Sequence, residues 1–140
     1  MNVSEIRVQA IINPISGVGS KRKIPRMLEK VCEEKGFSLS VAFSEYAGHA
    51  SELTQKALDE GYTYIIAVGG DGTVNEIAKT MIHSDAILGI IPKGSGNGLA
   101  RELHIPMDVK RAVDTLAKGH VSVIMTELSF APAALDLMQR

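Results

Sequence analysis

The chain has 140 residues, of which 45% are hydrophobic and 22% charged, with a formal net charge of −1. That composition predicts one soluble globular domain with enough apolar material for a core, and a charge so close to zero excludes recognition of nucleic acid or anionic membrane by bulk charge. Cys32 is the only cysteine, which excludes an intrachain disulfide and a cysteine-based metal site.

No apolar run approaches the length that spans a bilayer. Glu5 and Arg7 interrupt the N-terminal apolar stretch, so a signal peptide is not expected and the expected location is cytoplasmic. The first strand is expected over Ile6, Val8, Ala10, Ile11 and Ile12, apolar throughout at its end as a buried parallel strand is. Asn13-Pro14 stops it, and Gly17 and Gly19 leave the following loop open to close approach. The spacing of Ile24, Met27, Leu28, Val31 and Cys32 predicts a helix ended by Gly36, with Cys32 a small core residue. Lys21, Arg22, Lys23 and Arg26 cluster at its start, either as a solvated helix end or as phosphate contacts. Phe37 to Phe43 alternate as a second strand, Ser44 to Gly48 form a loop, and Ala50, Leu53, Ala57 and Leu58 line a second helix ended by Gly61.

A third strand, Thr63 to Val68, runs into Gly69-Gly70-Asp71-Gly72-Thr73-Val74-Asn75-Glu76. Beyond this turn Val74, Ile77, Ala78, Met81 and Ile82 share one helical face, which predicts a helix to about His83. Amides at such a strand-to-helix junction have no partner inside the helix, and the helix dipole adds partial positive charge there. A turn without side chains lets a phosphate come close to them. The plainer alternative is a turn that only ends a strand, with Asp71 or Thr73 capping the helix. Ile87 to Ile91 is a fourth strand, ended by Pro92, and Pro92-Lys93-Gly94-Ser95-Gly96-Asn97-Gly98 is another glycine turn. A short helix at Leu99 to Leu103, a helix capped by Asp108 with Val109, Ala112, Val113 and Leu116 inward and Gly119 after it, and a strand at Val121 to Met125 complete the expected elements.

Alternating strands and helices predict an α/β fold: a Rossmann-like parallel sheet in three layers with helices on both faces and right-handed crossovers. Ligands of such sheets bind beyond the carboxyl ends of the strands, and all three polar glycine loops fall at those ends. The ligand site is not a familiar nucleotide motif. G-x-G-x-x-G fails because Arg22 follows Gly17-Val18-Gly19 at the third position, and G-x-x-x-x-G-K-[ST] has no match. No set of His, Asp and Glu has metal-ligand spacing, His49 and His104 read as surface or capping residues, and nothing in the sequence places Ser95, His104 and Asp71 together as a triad. Lys93 is either a phosphate contact or a loop charge.

Taken together, Asn13-Pro14-Ile15-Ser16-Gly17, Gly69 to Glu76 and Pro92 to Arg101 resemble the three signatures of the diacylglycerol kinase catalytic domain, a family that also takes in related bacterial lipid kinases and, more distantly, sphingosine and ceramide kinases. The resemblance covers about residues 6 to 121. The Gly-Gly-Asp-Gly turn alone is shared with NAD kinases and phosphofructokinases, and the Pro92 to Arg101 motif tilts the choice toward lipid kinases. The resemblance implies the NAD kinase/diacylglycerol kinase-like N-terminal domain fold and an ATP site. Asn13, Pro14, Ser16 and Gly17 would contact the nucleotide. Ser44 and Ser95 stand where the family usually has threonines, and both keep the hydroxyl. Gly70, Asp71, Gly72, Thr73, Asn75 and Glu76 would cradle the phosphates. Asp71 is the implied catalytic residue, as general base toward a lipid hydroxyl or as a partner of Mg²⁺. The implied cofactors are ATP and Mg²⁺, and the implied partners are diacylglycerol or a related lipid, a peripheral membrane contact and a second copy in a homodimer.

Residues 1–125 are expected to form the nucleotide-binding domain. The pattern fades after Val123, and Met125 stands near a position where the family usually has an aspartate. Residues 126–140 form a divergent tail, and the second, β-rich domain that the family uses to complete its lipid cleft is absent from these 140 residues. Two other readings stay open on the sequence: an NAD kinase-like enzyme, and a nucleotide-binding module that transfers nothing.

Overall fold

The structure is a computed structural model, and it describes residues 6–14, 23–92, 98 and 111. The elements run β1 (Arg7–Ile12), α1 (Lys23–Lys35), β2 (Ser38–Phe43), α2 (His49–Asp59), β3 (Tyr64–Gly69), α3 (Asp71–Thr80) and β4 (Ile87–Pro92). Of the helices and strands expected beyond Pro92, Arg111 is described, as helical, and the rest lie outside the described residues.

All four strands are parallel, in the order β2-β1-β3-β4. The central strand β3 is apolar in nearly every position, and β1 is apolar apart from Arg7 and Gln9, because helices cover both their faces. Successive side chains point to opposite faces, and the core divides accordingly. Val8, Ala10, Ile12, Ile66, Val68 and Ile91 pack with Ile24, Leu28 and Cys32 of α1. Ile11, Ile65, Ala67 and Ile90 pack with Ala50 and Ala57 of α2 and with Val74 and Ile77 of α3. The step from β1 to β2 goes one way along the sheet, and the steps to β3 and β4 go the other way. One crossover hand for all three therefore requires α1 on one face and α2 and α3 on the opposite face, as seen. The expected three-layer α/β arrangement with helices on both faces is what the chain adopts.

Element ends follow local chemistry. Gly36 and Gly61 both adopt positive φ, +74° and +86°, and stop α1 and α2 where the sequence placed their C-terminal glycines. β1 and β3 each begin one residue later than expected, at Arg7 and Tyr64, and β3 ends one later, at Gly69; three further boundaries also differ. β2 begins at Ser38 because Phe37 turns its ring onto the α1-side core and stacks on Tyr64. α3 ends at Thr80, three residues early, so Met81 is buried at the helix end while Ile82 is exposed. β4 runs through Pro92, which pairs with Gly69 at the strand end, where a missing N–H costs least.

The reversal of strand order lies between β1 and β3. It opens a crevice at their carboxyl ends, the place where doubly wound sheets bind ligands. The loops after β1, β2, β3 and β4 all emerge on this edge.

Candidate functional site

The crevice is closed at its base by the backbone. Asn13, directly after β1, donates its N–H to the carbonyl of Val68 on β3 at 2.9 Å. Ser44, directly after β2, donates its N–H to the carbonyl of Ile12 at 2.9 Å. The three strand ends are thereby held level, and the residues that follow them share one rim.

The centre of the rim is the start of α3. Gly70 is the N-cap, with φ −90° and ψ −167°, so the cap residue has no side chain to close that end of the helix. Asp71 is the first helical residue and is exposed, and the exposed Gly72 follows it. The capping by Asp71 or Thr73 entertained from the sequence does not occur at this helix start. Thr73 is buried, and its Oγ1 accepts a hydrogen bond from Asn13 Nδ2 at 3.1 Å. This bond spans the crevice and ties the first turn of α3 to the end of β1. A Cβ built on Gly72 meets no atom of the described residues within 4 Å, so among them the space beside Gly72 is open. Amides with no intrahelical acceptor, open space beside Gly72 and the positive end of the helix dipole make up a site that suits an anion.

Gly69 is different. A Cβ there would fall 2.8 Å from Thr73 Cβ and 2.9 Å from Thr73 Oγ1. The last residue of β3 must be glycine for α3 to turn back this tightly. The site reading of the sequence passed over Gly69, and the signal lay in its register four residues before a threonine rather than in any motif.

The remaining candidates fall as follows. Pro14 is half-buried in the turn after β1, beside Asn13. Asn75 is exposed on α3. Glu76 is half-buried and accepts a hydrogen bond from the Ser51 amide of α2 at 3.1 Å. A Cβ built on Gly98 would lie 4.0 Å from Asp71 Oδ1, which places Gly98 beside the turn after β3. Ser16, Gly17 and Ser95 lie outside the described residues, as do Lys93, His104, Lys21 and Arg22. Lys23 and Arg26 are exposed at the start of α1. His49, the first residue of α2, does not cap it; its Nδ1 accepts the amide of loop residue Glu45 at 2.9 Å, and its ring stacks on Tyr46 at 4.3 Å between centroids. The Tyr46 hydroxyl donates to Glu52 Oε2 at 2.6 Å, and that bond to a carboxylate raises the tyrosine's pKa above its ordinary value. Burial raises the pKa of the Cys32 thiol likewise, in line with its place in the core. Among the described residues no three His, Cys, Asp or Glu side chains stand close enough to hold a metal by themselves, and no helix is long and apolar enough to cross a membrane.

The sequence of residues 7–126, which includes this glycine turn, matches the family model of the diacylglycerol kinase catalytic domain. The chain belongs to the diacylglycerol kinase catalytic-domain family. It is 38% identical over 117 residues to a diacylglycerol kinase of Staphylococcus carnosus, which covers 81% of this chain and 38% of that protein. It is 38% identical over 119 residues to one of Staphylococcus saprophyticus, which covers 83% and 39%. The crystal structure of a diacylglycerol kinase from Bacillus anthracis superposes with a TM-score of 0.74 at 26% identity, over 86% of this chain and 42% of that one. The chain thus spans about two fifths of the length of the curated diacylglycerol kinases it matches.

Proposed function

We propose that this chain is the nucleotide-binding part of an ATP-dependent lipid kinase of the diacylglycerol kinase type, which moves the terminal phosphoryl group of ATP to a lipid hydroxyl. The observation that carries this reading is the start of α3: a helix N-terminus opened by Gly70-Asp71-Gly72, with clear space beside Gly72 among the described residues, at the topological switch of the sheet.

Phosphoryl transfer asks a protein mainly to position phosphates and to offset charge as it moves. The amides of the Gly70 to Thr73 turn receive the phosphates. Asn13 and Pro14, with Ser16 and Gly17, line the nucleotide from the β1 side, Ser44 from the β2 side, and Ser95 from the β4 side. Asn75 adds a polar group one turn into α3. Asp71 stands exposed at the mouth of the turn, where its carboxylate takes the proton of the lipid hydroxyl or holds Mg²⁺. A Mg²⁺ ion fits this donor set, since it is commonly held by one or two carboxylates together with substrate phosphates. Bound there, it would neutralise charge on the phosphates. Diacylglycerol or a related lipid is the acceptor, and the β-rich domain of longer family members supplies the other wall of the lipid cleft to residues 1–125. A lipid acceptor brings the working kinase, cytoplasmic and peripheral, to a membrane surface, and homodimerisation accompanies it.

The test is a calorimetric titration of this chain with ATP and Mg²⁺, beside NAD, repeated with Gly72→Leu. The open space at Gly72 lets the variant fold, and replacing a helical glycine gains up to about 1 kcal/mol. The side chain fills the room over the amides, so ATP affinity is expected to fall by more than about tenfold, the effect of about 1.4 kcal/mol. Unchanged ATP binding in a folded Gly72→Leu chain overturns the site, and preference for NAD over ATP overturns the class of nucleotide.

A further inference from the structure

We propose that Glu76 is a positioning residue: from α3 its carboxylate caps the N-terminus of α2, and through α2 it fixes the 44–48 loop that presents Ser44 to the nucleotide rim. This inference rests on the nucleotide-binding reading above and gives Glu76 a different task from the phosphate contact that the family resemblance implies for it.

α2 has no cap of its own. Its N-cap is Gly48, which lacks a side chain and sits at φ +91°. Glu76 Oε1 instead accepts the Ser51 N–H at 3.1 Å. Ser51 is the third helical residue, so Glu76 performs from a neighbouring helix the task that a Ser, Thr or Asp side chain performs at an ordinary N-cap. It also sets a negative charge against the positive end of the α2 dipole. A second link runs alongside: Ser51 Oγ lies 2.7 Å from Thr80 Oγ1, and Thr80 Oγ1 donates to the Glu76 carbonyl at 2.9 Å.

The first turn of α2 in turn holds the loop. His49 Nδ1 accepts the Glu45 amide, and the Tyr46 hydroxyl reaches Glu52 Oε2. The Tyr46 carbonyl accepts the His49 amide at 3.0 Å, and the Tyr46 ring lies on the His49 ring, 9° from parallel. On its other side the loop is pinned by the Ser44 amide on Ile12. Glu76 is therefore joined by a hydrogen bond to the first turn of α2, that turn by hydrogen bonds to Glu45 and Tyr46, and Ser44 to Glu45 by the chain itself. Glu76 also lies five residues beyond Asp71, which on a helix is about 7.5 Å along the axis from the turn that receives the phosphates. A carboxylate aimed at phosphate from that place would repel it, whereas one committed to an amide does not.

The experiment compares Glu76→Ala and Glu76→Gln in the ¹⁵N-labelled chain, reading amide hydrogen exchange at Ser51, Glu45 and His49, together with ATP·Mg²⁺ titration. Glu76→Ala is expected to speed exchange at all three amides by about fivefold or more and to weaken ATP by a similar factor. Glu76→Gln keeps an amide oxygen at the same reach and is expected to preserve both the protection and the affinity. Direct contact of Glu76 with Mg²⁺ would make Glu76→Gln as deficient in ATP binding as Glu76→Ala while the Ser51 amide stays protected, and that result overturns the proposal. Faster exchange at Ser51 alone also overturns it, because the cap would then not reach the loop. If the unmodified chain binds no ATP, the functional reading falls by itself, and exchange at Glu45 and His49 still decides this one.

Discussion

Gly69→Ala is the sharpest test of how the site is built. The added Cβ would lie 2.8 Å from Thr73 Cβ, a separation that real Cβ atoms essentially never show, and 3.1 Å from Thr73 Cγ2. The contact is with the root of the side chain, so no rotamer of Thr73 relieves it, and the first turn of α3 must lift from β3. Such overpacking costs about 1–3 kcal/mol. Lifting Thr73 also breaks its bond to Asn13 across the crevice, for about 1 kcal/mol more. The expected loss is about 2–4 kcal/mol, which for a domain of this size lowers the melting temperature by about 10 °C. Thermal denaturation followed by circular dichroism measures it. Thr73→Gly alone loses the Asn13 bond and helix propensity, about 2 kcal/mol in all. The double variant Gly69→Ala, Thr73→Gly removes the clashing atoms, so it is expected to be more stable than the sum of the two singles by at least about 1 kcal/mol. A Gly69→Ala chain that melts within about 2 °C of the unmodified protein, or single costs that add to within about 0.5 kcal/mol, would refute the close packing of strand end on helix start.

On the proposed function, Asp71→Asn is expected to abolish any phosphoryl transfer while stability changes by less than about 1 kcal/mol, since Asp71 is exposed at the helix start. Full activity in that variant removes Asp71 from the mechanism. Cys32 is 4% exposed and its thiol is pushed up by burial, so alkylation by iodoacetamide at neutral pH is expected to be far slower in the native chain than in the unfolded one. The neutral thiol belongs to the folded state, so any contribution of Cys32 to stability is intact below the pKa of the unfolded thiol and is lost as pH rises toward the folded value. Rapid native labelling would show that α1 does not hold Cys32 in the core.

Much of the fold was legible in one dimension because its causes are local. Ile65 to Val68 are apolar without a break because both faces of a central parallel strand are covered, and Ile24, Leu28 and Cys32 recur at helical spacing because one side of α1 is buried. Gly36 and Gly61 mark helix ends because a left-handed residue there favours glycine. The three polar glycine loops were assignable to one edge of the sheet because parallel strands all point their carboxyl ends the same way.

Other features depend on which parts of the chain meet, and no period or motif records that. Ile82 has the right spacing for the core but is exposed, because α3 stops at Thr80. Thr54 sits between apolar residues of α2 and is fully buried, its hydroxyl satisfied by the Ala50 carbonyl one turn back. The Asn13 to Thr73 bond joins residues sixty positions apart, across the gap between two strands that are neighbours in space only because β3 crosses over β1. The family resemblance implies that Glu76 helps cradle the phosphates, while in the folded chain its carboxylate accepts the amide of another helix. Sequence by itself determined the class of fold, which follows from residue periodicity, the family, which three signature motifs resemble, and the sheet edge that carries the glycine loops, since parallel strands end on one side. The tertiary structure decided which polar groups remain available to a ligand, because a side chain is available only when no neighbour brought in by folding has already taken its hydrogen bonds.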